Sequence, residues 1–361
     1  MANPRESELS YPLGEQLPAP GAALDIAPGV RWVRMQLPFA LDHINLWLLR
    51  DEIEGCAGWT VVDCGITNAD TQAAWEQVFA RHLDGLPVLR VLATHFHPDH
   101  LGLAHWLCER WSGAPGGLPE CRLWISATDF QLARLASRST EGLGGESAAA
   151  FFASHGLTDE DSLAKIRARA AYYPSMVPAV PARFRRLMDG QVLNVGGTAW
   201  RCLVGHGHSP EHISLHAESL GVLISGDMVL PRISTNVSVV DSEPEADPLS
   251  LYLASLRRLM ALPADTLVLP SHGKPFRGLH ARLAQLIEHH DERLAETLVA
   301  CAAAPTHAAG LLPVLFKRPL DLHQTTFAMG ESLAHLHALW LAGRLRRERG
   351  TDGVYRFSAV I

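Results

Sequence analysis

The sequence predicts an α+β protein, with two sets of strands divided by helices and a smaller, mainly helical unit at the C-terminus. Three observations carry this expectation. Short apolar, β-rich runs recur between about residues 30 and 270, with amphipathic stretches between them. Histidine or aspartate follows closely on several of those runs, where the ends of strands open into a site. Beyond about residue 280, leucines fall at helical spacing.

Residues 1–28 read as a loosely held lead-in, polar and proline-bearing as far as Pro20. Val30 to Leu37 and Ile44 to Leu49 alternate or run apolar and read as strands, and Trp59 to Val62 as a third. Thr67 to Leu83 is an amphipathic helix with Trp75, Val78 and Phe79 on its inner face. Val88 to Ala93 reads as a buried strand, Asp99 to Trp111 as a helix, Gly113 to Pro119 as a loop and Cys121 to Ile125 as another strand. A helical insertion follows, Ala127 to Tyr173, broken by Gly142-Leu143-Gly144-Gly145. Further β-rich runs are Trp200 to Val204, Gly221 to Ile224 and Thr266 to Leu269. In the tail, Arg282 to Ala302 is a long helix, Pro305-Thr306 opens a second, and Thr325 opens a third that stops at Gly343. Leu345 to Arg347 and Val354 to Phe357 flank Gly350-Thr351-Asp352-Gly353, a hairpin signal. The expected division is therefore residues 29–279 as the main domain, with an insertion at about 127–185, and residues 280–361 as the C-terminal domain.

Composition suits a globular enzyme. The 361 residues are 47% hydrophobic and 19% charged, enough for a sizeable core. A net charge of −7 argues against a protein built mainly to hold nucleic acid. The six cysteines show no C-x-x-C spacing, so reduced, mostly buried thiols and a cytoplasmic location are expected. Cys64 reads as a small buried residue rather than a nucleophile. There is no apolar signal-peptide core near Met1 and no apolar stretch long enough to span a bilayer, so no membrane partner is expected.

The chemistry concentrates in His95-Phe96-His97-Pro98-Asp99-His100. Neutral imidazole and carboxylate suit divalent transition metals such as zinc. Four such donors cannot all reach one ion from an extended segment. They can divide between two ions if the chain turns from strand to helix, and Pro98 favours that turn. The donors recur downstream, at His208 in Gly207-His208-Ser209-Pro210-Glu211-His212, at Asp227 in Ser225-Gly226-Asp227, and at His272 in Pro270-Ser271-His272-Gly273. That recurrence disfavours a merely polar loop.

Together these segments closely resemble the metallo-β-lactamase superfamily over roughly residues 30 to 280. They match its H-x-H-x-D-H motif, its G-H-[ST]-P-x-H-like motif, its G-D segment and its final histidine, in order. Val61-Val62-Asp63-Cys64-Gly65 resembles its V-D-T-G turn. The resemblance implies an αββα sandwich with two metal sites, one held by His95, His97 and His208 and the other by Asp99, His100 and His272, with Asp227 bridging both. It also implies that Asp63 holds ligands through hydrogen bonds. His212 is expected behind the ligands or in the pocket wall, and His206 as an incidental loop histidine. The implied cofactors are two divalent ions, zinc by default, with iron or manganese fitting the same donors.

The expected activity is metal-dependent hydrolysis, in which a hydroxide bridging the two ions attacks a carbonyl. Asp99 would orient that hydroxide or pass on its proton. A thioester or ester within the broad glyoxalase-II-like branch is the favoured substrate. True glyoxalase II is disfavoured, because Met228-Val229-Leu230-Pro231-Arg232-Ile233-Ser234 follows Gly226-Asp227 where that enzyme has a G-C-G-R stretch. The alternatives are a metal-dependent phosphodiesterase or endoribonuclease, and a non-catalytic, metal-holding binding module. In the insertion, Phe151, Phe152, Tyr172 and Tyr173 are candidates for a pocket that takes an acyl or apolar part of a small-molecule substrate, with packing of the insertion as the competing reading. Three helices and a hairpin in the tail resemble the winged-helix domain that some superfamily hydrolases carry. Its third helix, from Phe327 to His337, has no Arg or Lys, so packing, cleft closure or homodimer contact is favoured over a nucleic-acid partner.

Overall fold

Strands that alternate between two apolar faces account for most of the architecture. The computed structural model describes residues 3–112, 120–138 and 144–360. The expected loop from Gly113 to Pro119 and the expected break at Gly142-Leu143 lie outside the described residues. Seven strands form the first sheet in chain order: β1 (Ala23–Ala27), β2 (Val30–Gln36), β3 (His43–Ile53), β4 (Cys56–Val62), β5 (Val88–Leu92), β6 (Arg122–Ile125) and β7 (Phe184–Arg186). The pairs from β1 to β4 are antiparallel, and those from β4 to β7 are parallel. Five strands form the second sheet: β8 (Val192–Val195), β9 (Thr198–Gly205), β10 (His212–Ala217), β11 (Val222–Gly226) and β12 (Leu267–Pro270). Its order is β12-β11-β10-β9-β8, and only the β11–β12 pair is parallel.

The period of two in β3 shows how the layers arise. Trp47 and Leu49 face the second sheet and meet Trp200, Ile213, Leu215, Ile224 and Leu269, with Trp32 stacked on Trp47 at 6.3 Å between ring centroids. Ile44, Leu46 and Leu48 face the other way. They meet α1 (Ala69–His82) through Trp75, Val78 and Phe79, as the helical spacing predicts. The same layer holds α2 (Pro98–Leu101), α3 (Ala104–Trp111) and α4 (Ala127–Ala136). The insertion continues as α5 (Gly145–Ala153), α6 (Glu160–Ala168) and α7 (Tyr172–Met176). On the outer face of the second sheet lie α8 (Pro248–Leu259) and α9 (Leu279–Ala303). The tail adds α10 (Ala308–Leu315), α11 (Leu322–Leu341) and an antiparallel hairpin of β13 (Leu345–Arg349) and β14 (Tyr355–Ala359). The molecule is thus a helix–sheet–sheet–helix sandwich with a helical tail, as expected.

Four details depart from the sequence expectation. The lead-in is anchored rather than loose: Leu9 is buried, Ser10 and Arg277 exchange backbone hydrogen bonds, and β1 joins the first sheet. Backbone pairing leaves no mark on polar composition, so the sequence did not show it. The single helix expected from Asp99 to Trp111 divides into α2 and α3. Gly102 lies at the division, where a Cβ would come within 2.7 Å of the carbonyl oxygens of Gly65 and Pro98. Only glycine lets the ligand-bearing turn pack this closely on the Asp63-Cys64-Gly65 turn. The tail helices begin elsewhere than expected, because side chains cap them: His307 accepts from the Gly310 N–H, and Asp321 forms a capping box with Gln324. Finally, β7, β8, β10 and α8 had no counterpart in the sequence reading. Residues of α5, α6, α8, α9, α10 and α11 share one apolar cluster on the second sheet, so the tail packs continuously with the sandwich. Among the described residues, no helix is long and apolar enough to cross a membrane.

Candidate metal centre

Each donor sits just beyond a strand. His95 and His97 follow β5, and His97 is the N-cap of α2 in extended geometry (φ −58°, ψ 149°). Pro98 opens α2, placing Asp99 and His100 in its first turn. This is the strand-to-helix turn that four clustered donors require. His208 lies in the turn from β9 to β10, Asp227 directly follows β11, and His272 follows β12.

All seven expected donors come together. Donor atoms of His95, His97 and His208 lie within 4.8 Å of one another, as do those of Asp99, His100 and His272, and those of His95, His100 and Asp227. His95 Nε2 stands 2.8 Å from His97 Nδ1 and 3.1 Å from His208 Nε2. Asp227 lies between the groups, with Oδ2 3.3 Å from His208 Nε2 and Oδ1 3.5 Å from the Nε2 atoms of both His100 and His272.

Neighbouring groups decide which ring nitrogens carry protons. His208 Nδ1 donates to the Asn236 carbonyl at 2.8 Å, and His272 Nδ1 to the His43 carbonyl at 2.7 Å. His100 Nδ1 donates to Asp63 Oδ2 at 2.8 Å. Thr94 Oγ1 donates to the same carboxylate and accepts from His95 Nδ1 at 3.0 Å. With Nδ1 engaged in each of these four rings, the Nε2 atoms turn inward, as bare lone pairs whenever the rings are neutral. His100 Nε2 and Asp227 Oδ1 are buried with no hydrogen-bond partner among the described residues. Facing lone pairs in a buried site repel, and an unpaired buried polar group costs about 1–3 kcal/mol. A divalent cation removes both penalties, so the donor set fits one.

The electrostatics agree. Burial is the strongest influence on His95 and His97 and holds both well below the ordinary histidine range, with neighbouring rings adding to it. Burial also acts against charge on His100, but Asp99, Asp63 and Asp227 together outweigh it and raise this group well above that range. His272 is raised in the same way, through Asp227 and Asp99 against burial. For Asp227, burial favours the protonated acid, yet the positive potential of His272 and His100 holds it well below the carboxylate range. The carboxylates thus concentrate negative potential where a cation would sit.

A family model described as Metallo-beta-lactamase superfamily matches residues 41–272, more than half of the chain. The chain belongs to the metallo-beta-lactamase superfamily. A second model, Metallo-beta-lactamase-like, C-terminal domain, matches residues 294–360. The chain is 25% identical to the Probable metallo-hydrolase YqjP of Bacillus subtilis (strain 168), over 85% of this chain and 91% of that protein. It is similar to the crystal structure of a Beta-lactamase domain protein from Burkholderia ambifaria, with 58% identity and a TM-score of 0.91, over 98% of this chain and 99% of that one. It is also similar to the metallo-beta-lactamase family protein TTHA1429 from Thermus thermophilus, with 28% identity and a TM-score of 0.75, over 92% of this chain and 99% of that one. Family membership and the donor cluster together make this a superfamily metallo-hydrolase whose His/Asp cluster suits divalent metal.

Around this superfamily site, Asp63 has φ +61° and grips the Thr94 N–H at 2.7 Å as well as the Thr94 hydroxyl and His100. His212 lies behind the donors, its Nε2 accepting from the Asp227 N–H at 3.1 Å. His206 is a loop residue whose Nδ1 donates to the Pro210 carbonyl at 2.6 Å. The sequence reading missed His43, whose carbonyl fixes His272 and whose Nε2 accepts from the Gly273 N–H at 2.8 Å. No local signal could have found it, because 229 positions separate it from His272.

The four aromatic candidates separate. Phe152 is buried in the cluster shared by α5 and the tail, with Phe151 packed against it, so the structure does not bring this pair among the donors. Tyr173 is buried and donates its hydroxyl to the Phe96 carbonyl at 2.6 Å, which makes it a support of the ligand loop. Tyr172 is half-buried, which raises its hydroxyl above the ordinary tyrosine range, and the Arg169 guanidinium lies 4.4 Å from its ring centroid.

Asp63→Asn is expected to weaken metal binding about 10- to 100-fold, because an amide cannot accept from every group the carboxylate now holds. Zinc competition against a chromophoric chelator measures this. Wild-type affinity in the variant would show that Asp63 does not orient His100.

Proposed function

We propose that the chain is a dinuclear hydrolase that cleaves a carbonyl substrate, a thioester or ester. The carrying observation is Asp227, whose two oxygens face two different donor groups, Oδ2 toward His208 and Oδ1 toward His100 and His272. His95, His97 and His208 would hold one ion, and Asp99, His100 and His272 the other, with Asp227 shared. Two such ions, zinc or alternatively iron or manganese, supply when bound an acidified water and positive charge opposite a developing oxyanion.

The chain's own groups do the rest. The Asp99 side chain keeps 20% of its surface exposed, against 10% for Asp227 and 3% or less for His100 and His272. A carboxylate at the open side of a buried site is placed to orient the attacking water and carry its proton to the leaving group. Tyr172, half-buried on α7, which packs against the α2 turn that carries Asp99, offers an aromatic edge to an acyl portion. A nucleic-acid substrate has less support. Helix α11 carries no Arg or Lys, and two arginines of the hairpin are engaged within the chain, Arg347 with Glu245, Trp340 and Tyr355, and Arg356 with Asp352.

A substrate panel tests the proposal. The metal-loaded protein is expected to turn over a thioester or ester, and Asp99→Asn to reduce kcat about 10²- to 10⁴-fold, the range of a lost acid–base group, while the fold persists. Turnover of single-stranded RNA without any carbonyl substrate would replace this reading with phosphodiester cleavage. No turnover of thioester, ester, lactone or RNA with both ions loaded would leave a binding module.

A further inference from the structure

We infer that Asp129 is a positioning residue for the three-histidine metal group. Its carboxylate ties together the two loops that carry those histidines, and it acts in concert with Tyr173. The inference rests on the two-ion reading above.

Asp129 is fully buried, and no ligand role has been given to it. It lies in the first turn of α4, which Ser126 caps: the Ser126 hydroxyl accepts from the Asp129 N–H at 3.2 Å and donates to Asp129 Oδ2 at 2.9 Å. The carboxylate then reaches outside its own helix in two directions. Oδ1 accepts from the Phe96 N–H at 3.1 Å. Oδ2 accepts from the Glu211 N–H at 2.9 Å. Phe96 stands between His95 and His97, and Glu211 is three residues beyond His208. One side chain therefore spans both segments of the three-histidine group.

The other side of Phe96 is held as well. Its carbonyl accepts from the Tyr173 hydroxyl at 2.6 Å, and the two rings stack at 5.9 Å. With both backbone polar groups of Phe96 engaged, the directions in which His95 and His97 leave the chain are restricted. A further strut joins the same parts, because Thr128 Oγ1 donates to Glu211 Oε2 at 2.8 Å. The second donor group has its own supports, Asp63 on His100 and His43 on His272. The clamp should therefore act on one metal group and spare the other. An asparagine at position 129 keeps the shape but puts an N–H₂ where one of the backbone N–H groups now finds an acceptor.

Two single-site backgrounds separate the groups. His272→Ala disables the second group and leaves the three histidines, and His208→Ala does the converse. Zinc affinity is read by chelator competition, and the coordination sphere by visible absorption of the cobalt-substituted protein. Asp129→Asn is expected to weaken zinc about 10- to 100-fold and to alter the cobalt spectrum in the His272→Ala background. In the His208→Ala background both readouts should stay unchanged. Equal loss in both backgrounds, or loss in neither, would overturn the clamp. Should Asp129→Asn fail to fold, Tyr173→Phe must show the same selectivity, and its absence would overturn the clamp equally. Zinc missing from both backgrounds before Asp129 is altered would defeat the two-ion reading itself, and the clamp with it.

Discussion

On the proposed dinuclear reading, Asp227→Ala is expected to lower kcat/KM on the best carbonyl substrate by about 10²- to 10³-fold or more and to remove at least one of the two proposed ions. The reason lies in its position. Asp227 is the carboxylate within 3.5 Å of His208, His100 and His272 together, so it supplies negative charge to both donor groups. Without it, converging imidazoles remain and each proposed ion would lose an anionic ligand. The backbone there is independently secured, since the Asp227 N–H donates to His212 and its carbonyl accepts from the Thr235 hydroxyl. The loss should therefore be one of chemistry rather than of fold. Elemental analysis and steady-state kinetics measure the two effects, with Asp227→Asn as the isosteric control. A variant that keeps two ions and near wild-type rate would remove the basis for a shared ligand.

Complete removal of metal is expected to lower the melting temperature by about 10 °C or more. An ion present at a thousandfold over its Kd stabilises the folded state by about 4 kcal/mol, the two proposed ions together by about 8 kcal/mol, and a chain of 361 residues loses about 1.3 °C per kcal/mol. The physical source is the buried His100 Nε2 and Asp227 Oδ1, which have no hydrogen-bond partner among the described residues, together with the facing Nε2 atoms of His95 and His208. Calorimetry before and after exhaustive chelation, and again after zinc is restored, gives the shift. An unchanged transition in the stripped protein would mean that the ions are not coupled to folding.

The donors were legible because their signal is local. His95, His97, Asp99 and His100 stand at the end of an apolar run with a proline at the turn, and His208, Asp227 and His272 repeat that strand-end position. The helix α1 face was legible for the same reason, as Trp75, Val78 and Phe79 follow the helical period. The supports were not legible. His43 and Asp129 act on donors in distant segments, and neither His43 nor the edge strand β1 sits in a pattern that periodicity would mark. The aromatic pairs of the insertion looked alike in sequence, yet Phe152 packs toward the tail and Tyr173 grips the ligand loop. Apolar character states that a side chain will be buried, but not against what.

From its residues alone, the chain determined an α+β fold, the donor types and the strand end at which each donor stands, because these follow from short-range periodicity and turn chemistry. Tertiary structure alone decided which donors face one another, which imidazole nitrogen carries the proton and which carboxylates hold the loops in place. Those outcomes depend on contacts across more than a hundred positions, such as the approach of His208 to His95 and the hydrogen bond from His272 to His43, whose geometry exists only once both sheets have packed.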